Sequence, residues 1–197
     1  MIEKLLALVR GRQGHFQFES GHHGDLWLEL ETLCMHSREI RPFAAQLAAK
    51  LMPHKVELVC GPLVEGAFIA LLVALELGCD FVYAERFANT AHEGLYPVEY
   101  HLPKPLGEAV KGKRVAVIND VISAGSAVRG AFSDLQSASA DIVAIGALLG
   151  LGDSIGKFAA EHQVALELLY QMPHNLWVPI QCPLCAKGQP LELMDTS

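Results

Sequence analysis

The chain has 197 residues, half of them hydrophobic, and 15 Lys and Arg against 22 Asp and Glu give a formal net charge of −7. That length suits one domain with at most a small appendage. An acidic balance without any basic cluster excludes a nonspecific nucleic-acid binder, which neutralises phosphates with grouped Lys and Arg. The longest apolar run, Ala67 to Leu75, falls far short of the roughly 20 residues of a membrane helix. Five widely spread cysteines do not make a disulfide framework, so a cytoplasmic protein is expected.

At the start, "MIEKLLALVR" sets acid and base around a short apolar stretch and predicts an amphipathic helix, not a signal peptide. "GHFQFESGHHGDLWLELETL" alternates apolar and polar residues on both sides of a Gly-His-rich turn, which predicts a hairpin. Ser37 is placed to cap a helix running to Leu51, with Pro42 tolerated in its first turns. Strands and helices then alternate. Val56–Cys60 is a strand, "GPLVEGAFIALLVALELG" a glycine-bounded turn and helix, and Phe81–Ala84 a second strand. Val115–Ile118, a helix from Gly125 to Ala138, Asp141–Leu149 and Val164–Tyr170 complete the series. This predicts an α/β fold with a mostly parallel sheet flanked by helices. Such sheets bind ligands outside the carboxyl ends of their strands. Residues 85–106, with three prolines and little periodicity, form either a lid or a hairpin flap packed on the surface.

The richest stretch is "RVAVINDVISAGSAVRGA", residues 114–131. A β-branched run stops at Asn119-Asp120, small and hydroxylic residues follow, and helical spacing resumes. Amides at a helix start lack partners within the helix and make an anion site. Ser123 and Ser126 add hydroxyl donors, Ala124 and Gly125 let a phosphate approach the backbone, and Asp120 can accept from sugar hydroxyls. Phosphate beside ribose suits this arrangement; an ordinary strand–loop–helix with a capping serine is the alternative.

"INDVISAGSA" resembles the PRPP-binding motif of type I phosphoribosyltransferases (PRPP is 5-phosphoribosyl 1-diphosphate), closest to the orotate enzymes, with Ser for Thr twice. "FESGHHGDLWLELETLCMHSREIRPFAAQLA" resembles that family's N-terminal hairpin, or hood, and following helix. "LVCGPLVEGAFIALLVA" resembles its pyrophosphate loop, and "FVYAERFANTAHEG" stands where it carries a mobile catalytic flap. The matches cover most of residues 16 to 150 in the family's order. The resemblance implies transfer of ribose 5-phosphate from PRPP to a nitrogenous base, with Mg²⁺ bridging pyrophosphate and ribose hydroxyls. By position, Val121, Ile122, Ser123, Ala124, Gly125, Ser126 and Ala127 would cradle the 5-phosphate. Asn119 and Asp120 would hold the ribose hydroxyls, Gly61 and Pro62 would meet pyrophosphate, and Arg86 and His92 would serve from the flap. Trp27 lies near where the family stacks an aromatic residue on the base; packing in a core or interface is its other reading. The resemblance also implies a homodimer whose flaps approach the partner's site.

The chain departs from the orotate pattern where charge is needed. Asn119 replaces the first acid of the motif, Glu19 and Glu65 replace lysines, and Gly152 stands where an arginine engages the orotate carboxylate. One unit charge pair at about 4 Å is worth roughly 4 kcal/mol at an effective dielectric of about 20, so the usual charge clamp is missing. A different acceptor, or Arg38, Lys104 or Lys113 donated by another subunit, would compensate. His22 and His23 either add partial positive charge or form a polar turn. The alternative function is a non-catalytic regulator binding PRPP or a nucleoside monophosphate; a generic phosphate-binding α/β domain is a third.

The phosphoribosyltransferase-like domain is expected over residues 1–170, with a tail over 171–197. In the tail, Cys182-Pro-Leu-Cys185 resembles half of a zinc ribbon. A structural Zn²⁺ would need two more ligands, from His174, Cys34 or a neighbouring subunit; a redox pair and two ordinary thiols are the other readings.

Overall fold

Two sheets organise the computed structural model, which describes residues 2–88 and 95–193. In chain order the elements are α1 (Ile2–Leu6), β1 (Arg10–Gln17), β2 (His23–Glu29), α2 (Ser37–Leu51), β3 (Leu58–Pro62) and α3 (Glu65–Leu77). Next come β4 (Asp80–Ala88), β5 (Val98–His101), α4 (Lys104–Val110), β6 (Arg114–Ile122), α5 (Ser126–Ser137) and β7 (Asp141–Leu151). The series ends with α6 (Ser154–Glu161), β8 (Ala165–Met172), β9 (Leu176–Trp177), α7 (Pro183–Ala186) and β10 (Glu192–Leu193). The core sheet has the order β5-β4-β3-β6-β7-β8. All its pairings are parallel except β4 with β5.

Period-two alternation explains the two cores. Ala116 and Ile118 of β6 face Ile40, Leu47 and Leu51 of α2 and Ile69 and Val73 of α3. Val115 and Val117 face the other way, toward Val128, Phe132 and Leu135 of α5 and Ile155 and Phe158 of α6. Strands covered on both faces read as unbroken apolar runs, as "LVCGP" and "AIGALLGL" do here. The helix expected from Ser37 does begin there, but Ser37 is its first residue and no side chain caps it; a 3₁₀ turn, Leu33–His36, leads in.

The hairpin reading of residues 85–106 describes the ends of that segment: Glu85 to Ala88 pairs antiparallel with Val98 to His101. Residues 89–94, and His92 with them, lie outside the described residues. A second sheet of order β10-β1-β2-β9 forms the hood, so residues 176–193 supply both of its outer strands. Among the described residues no helix is long and apolar enough to cross a membrane.

Gly61 sets how closely α3 approaches β3. A Cβ there would stand 2.5 Å from Ala70 Cβ and 2.7 Å from Ala67 Cα, with backbone on the second contact and no long side chain to yield. Gly61→Ala is therefore expected to cost about 1–3 kcal/mol of stability, the usual effect of overpacking, measured by urea unfolding; an unchanged midpoint would refute this close approach.

Candidate functional site

The carboxyl ends of β3 and β6 and the hood hairpin enclose a cavity of about 350 Å³. Every residue from Asn119 to Ala127 lines it. β6 continues past the expected stop at Ile118 to Ile122, and α5 starts at Ser126 after Gly125, whose φ of +83° a side chain would oppose. The turn is held from behind. The Ala124 carbonyl accepts from Ser154 Oγ (3.1 Å), Arg129 Nε (3.2 Å) and Tyr96 Oη (3.4 Å). In a trans peptide the next N–H points opposite to the carbonyl, so tying this oxygen back aims the Gly125 amide the other way. Arg129 is itself fixed, 4.4 Å over Phe158 and 5.4 Å over Tyr96, with Nη2 donating to Ser154.

Two polar atoms at this edge, Asp120 Oδ2 and Ser123 Oγ, are buried with no hydrogen-bond partner among the described residues. Burial pushes the Asp120 carboxyl up to about 7; Glu65 and Glu31 push the same way, while the Val121 amide opposes them. Asn119 bridges two loops: Nδ2 donates to the Val121 carbonyl at 2.9 Å, and its Oδ1 lies so close to Gly66 that a Cβ on that glycine would overlap it. Pro62 is on the cavity wall, as are Leu63, Val64 and Glu65, whereas Gly61 lies beneath it, packed on α3.

Arg86 reaches the cavity and is paired there. Its Nε donates to Glu19 Oε2 at 2.8 Å, and Tyr100 Oη donates to the same carboxylate at 3.2 Å. Burial raises the Tyr100 pKa, and Glu19 raises it further, so the phenol stays a donor. The lining thus carries Glu19, Glu31, Glu65 and Asp120 against Arg86 as its one cation among the described residues. Arg38, Lys104 and Lys113 do not line it; Lys113 precedes β6 at the far end of the sheet and pairs with Glu57.

Trp27 lines the cavity and also packs, its ring stacked on Phe18 at 6.0 Å. Leu26, Leu28, Leu30 and Leu151 continue this apolar wall, and Gly152, its N–H given to Met172, contributes no charge. Burial lowers the pKa of both His22 and His23, which favours the polar-turn reading of that pair over partial positive charge. Cys182 and Cys185 lie outside the cavity, beside His15 and His23 of the hood. Neither His174 nor Cys34 joins that group; His174 sits edge-on to Phe18. Sequence reasoning missed Ser154 and Tyr100, which stand in no quoted motif, and Arg129 and Glu31, which stand within quoted stretches but were given no role. It missed His15 as well.

No protein-family model matches the chain. It is 27% identical over 193 residues to an orotate phosphoribosyltransferase from Caldanaerobacter subterraneus subsp. tengcongensis, covering 97% of this chain and 92% of that protein. Among solved structures, an adenine phosphoribosyltransferase from Trypanosoma brucei, in complex with AMP, pyrophosphate and ribose-5-phosphate, superposes with a TM-score of 0.67 at 14% identity. That match covers 86% of this chain and 78% of that one. An orotate phosphoribosyltransferase from Aeropyrum pernix gives 0.63 at 21% identity over 87% and 94%. The fold is that of the type I phosphoribosyltransferases, and the sequence is similar to the orotate enzymes over nearly its full length.

If the tied-back carbonyl presents the anion site, Arg129→Gln is expected to weaken ribose 5-phosphate binding about tenfold, or about 1.4 kcal/mol, in calorimetry. Wild-type affinity in that variant would refute the role.

Proposed function

We propose that the chain is an orotate phosphoribosyltransferase-like enzyme, a pentosyltransferase that moves the 5-phosphoribosyl group of PRPP to a nitrogenous base and releases pyrophosphate. One observation carries the reading. The turn from Val121 to Ala127, with Ser123 Oγ and Asp120 Oδ2 unpartnered, borders the same cavity as the loop Pro62–Gly66 and the aromatic wall of Phe18 and Trp27. A sugar phosphate, its pyrophosphate and a flat base need those three surfaces side by side.

In this reading the Gly125 amide and the Ser123 and Ser126 hydroxyls bind the 5-phosphate. Asp120 accepts from the ribose hydroxyls, and Asn119 couples that contact to the pyrophosphate loop. The bond from C1 of ribose to pyrophosphate oxygen breaks, a bond from C1 to a base nitrogen forms, and that nitrogen gives up its proton. The transition state has oxocarbenium character, so alignment and charge stabilisation supply the rate.

The residues present fit a magnesium ion bound together with PRPP. The orphaned Asp120 oxygen and the neighbouring Glu65 are hard carboxylate donors of the kind Mg²⁺ takes. When bound, the ion would neutralise the leaving pyrophosphate. Orotate itself is not assigned as the acceptor, because among the described residues the cavity wall offers its carboxylate no cation beside Arg86, which pairs with Glu19.

That acidic lining favours a second reading, a regulator that binds PRPP or a nucleotide without turnover. A homodimer is part of the proposal. Phe68, Leu71 and Leu75 on α3 are 47, 42 and 69% exposed, an apolar face that a second copy would cover. A cytoplasmic location goes with the five free thiols.

Pyrophosphate release is to be followed with PRPP, Mg²⁺ and a panel of bases that includes orotate. Turnover with any base supports the enzyme, PRPP binding without turnover the regulator, and absence of both refutes the site. Asp120→Ala is expected to weaken PRPP binding more than Asn119→Ala. The Asp120 carboxyl is protonated below its raised pKa, so wild-type affinity in calorimetry should rise with pH through about 7; Asp120→Asn should remove that component. Equal pH profiles would refute the assignment. In sedimentation the wild type is expected as a dimer and Leu75→Glu as a monomer; a monomeric wild type would end the dimer proposal.

A further inference from the structure

We propose that His15 Nε2, His23 Nδ1, Cys182 Sγ and Cys185 Sγ bind one zinc ion that pins residues 176–193 to the hood hairpin. Each of the four residues offers one ligand atom, and all four atoms lie within 4.8 Å of one another. Four of the six pairs are His15–His23 at 3.2 Å, Cys182–His15 at 3.3 Å, Cys185–His23 at 3.3 Å and Cys185–His15 at 3.7 Å, and the other two lie within 4.8 Å. A tetrahedron with Zn–N of about 2.0–2.1 Å and Zn–S of about 2.3 Å has edges of roughly 3.3–3.8 Å, so these separations leave room for the ion at the centre with small adjustment.

The protonation pattern points the same way. His15 Nδ1 lies 2.9 Å from the Gln189 carbonyl, which can only accept. The proton therefore sits on Nδ1, and Nε2 turns its lone pair to the cluster. Metal-bound histidines are oriented by this kind of outer hydrogen bond. His15, His23 and Cys182 are buried and Cys185 borders solvent, which gives a route for metal entry. With four protein ligands the site has no open position, so its role is structural.

Position makes the role specific. His15 falls where the β1–β2 register shifts, between Gln13 and Phe16, and such an irregularity re-aims a side chain. His23 is at the start of β2, and the two cysteines bracket a turn in which Ala186 N–H donates to Cys182 O and Gly188 N–H to Cys185 O. The hairpin tip between β1 and β2 carries Phe18, Glu19 and Ser20 into the cavity wall. A zinc ion here would hold that wall by cross-linking segments far apart in the chain. None of the four ligands lines the cavity, so the proposal does not depend on the reaction.

The test uses the full chain expressed with zinc and purified under reductant without chelator. Metal analysis is expected to give about one zinc per chain for the wild type and for Cys34→Ser and His174→Ala, and less than about 0.2 for Cys185→Ser. Cys185 is the exposed ligand, so its replacement leaves the core intact, which circular dichroism checks. Cobalt exchanged into the wild type should give the visible bands of a tetrahedral ion and a thiolate charge-transfer band, both absent from Cys185→Ser. Wild-type protein without stoichiometric metal or a cobalt spectrum, or with a Cys182–Cys185 disulfide by mass, would overturn the site; stoichiometric iron would overturn the choice of zinc. Retained zinc with no pyrophosphate release would sink only the proposed reaction.

Discussion

A carboxyl group taken out of water at the end of β6 must either stay protonated or meet positive charge, because an isolated buried carboxylate is costly. Asp120 stands in that position with Glu65 and Glu31 near enough to worsen it. Arg86, the cation on the wall, is already spent on Glu19. Below its raised pKa the Asp120 carboxyl avoids that cost by holding a proton. In the proposed reaction that relief would pass to cations arriving with the substrate, so the charge that relatives of the orotate type are expected to carry on lysines would be imported here.

The turn proposed to bind the anion depends on a second arrangement, one carbonyl shared by three donors from different parts of the chain. Ser154 begins α6, Arg129 lies in the first turn of α5, and Tyr96 stands just before β5. In the proposed site, phosphate affinity would be linked to the base of the β4–β5 hairpin, because Tyr96 helps to support the Ala124–Gly125 peptide. Its own backbone, at φ +60° and with its N–H given to Ser20 O, ties the hood to the same junction.

The core sheet was legible because its strands are covered on both faces, so β3, β6 and β7 read as apolar runs ended by Gly, Pro or polar pairs. The turn after β6 was legible because small residues and a glycine must stand where a chain bends into a helix with positive φ. The rest was hidden for definite reasons. Asn119 gives no hint in sequence that its amide closes on Val121, and Arg129 looks like any surface residue of an amphipathic helix. The CxxC pair announced itself by spacing, but its partners did not. His15 and His23 converge only through antiparallel register and a bulge, and they meet the cysteines only because residues 176–193 return to the hood. His174, nearer in sequence and the more obvious choice, packs on Phe18 instead.

The hairpin of residues 10–29 is flanked on both sides by short strands from far along the chain, β9 beside His23 and Gly24 and β10 beside Phe16 and Gln17. Edge strands of this kind otherwise present unpaired amides and carbonyls to any passing strand, and β9 and β10 cover that end of the hairpin. The floor of the cavity is thus made within the core sheet, whereas its roof is shared between two stretches that lie far apart along the chain.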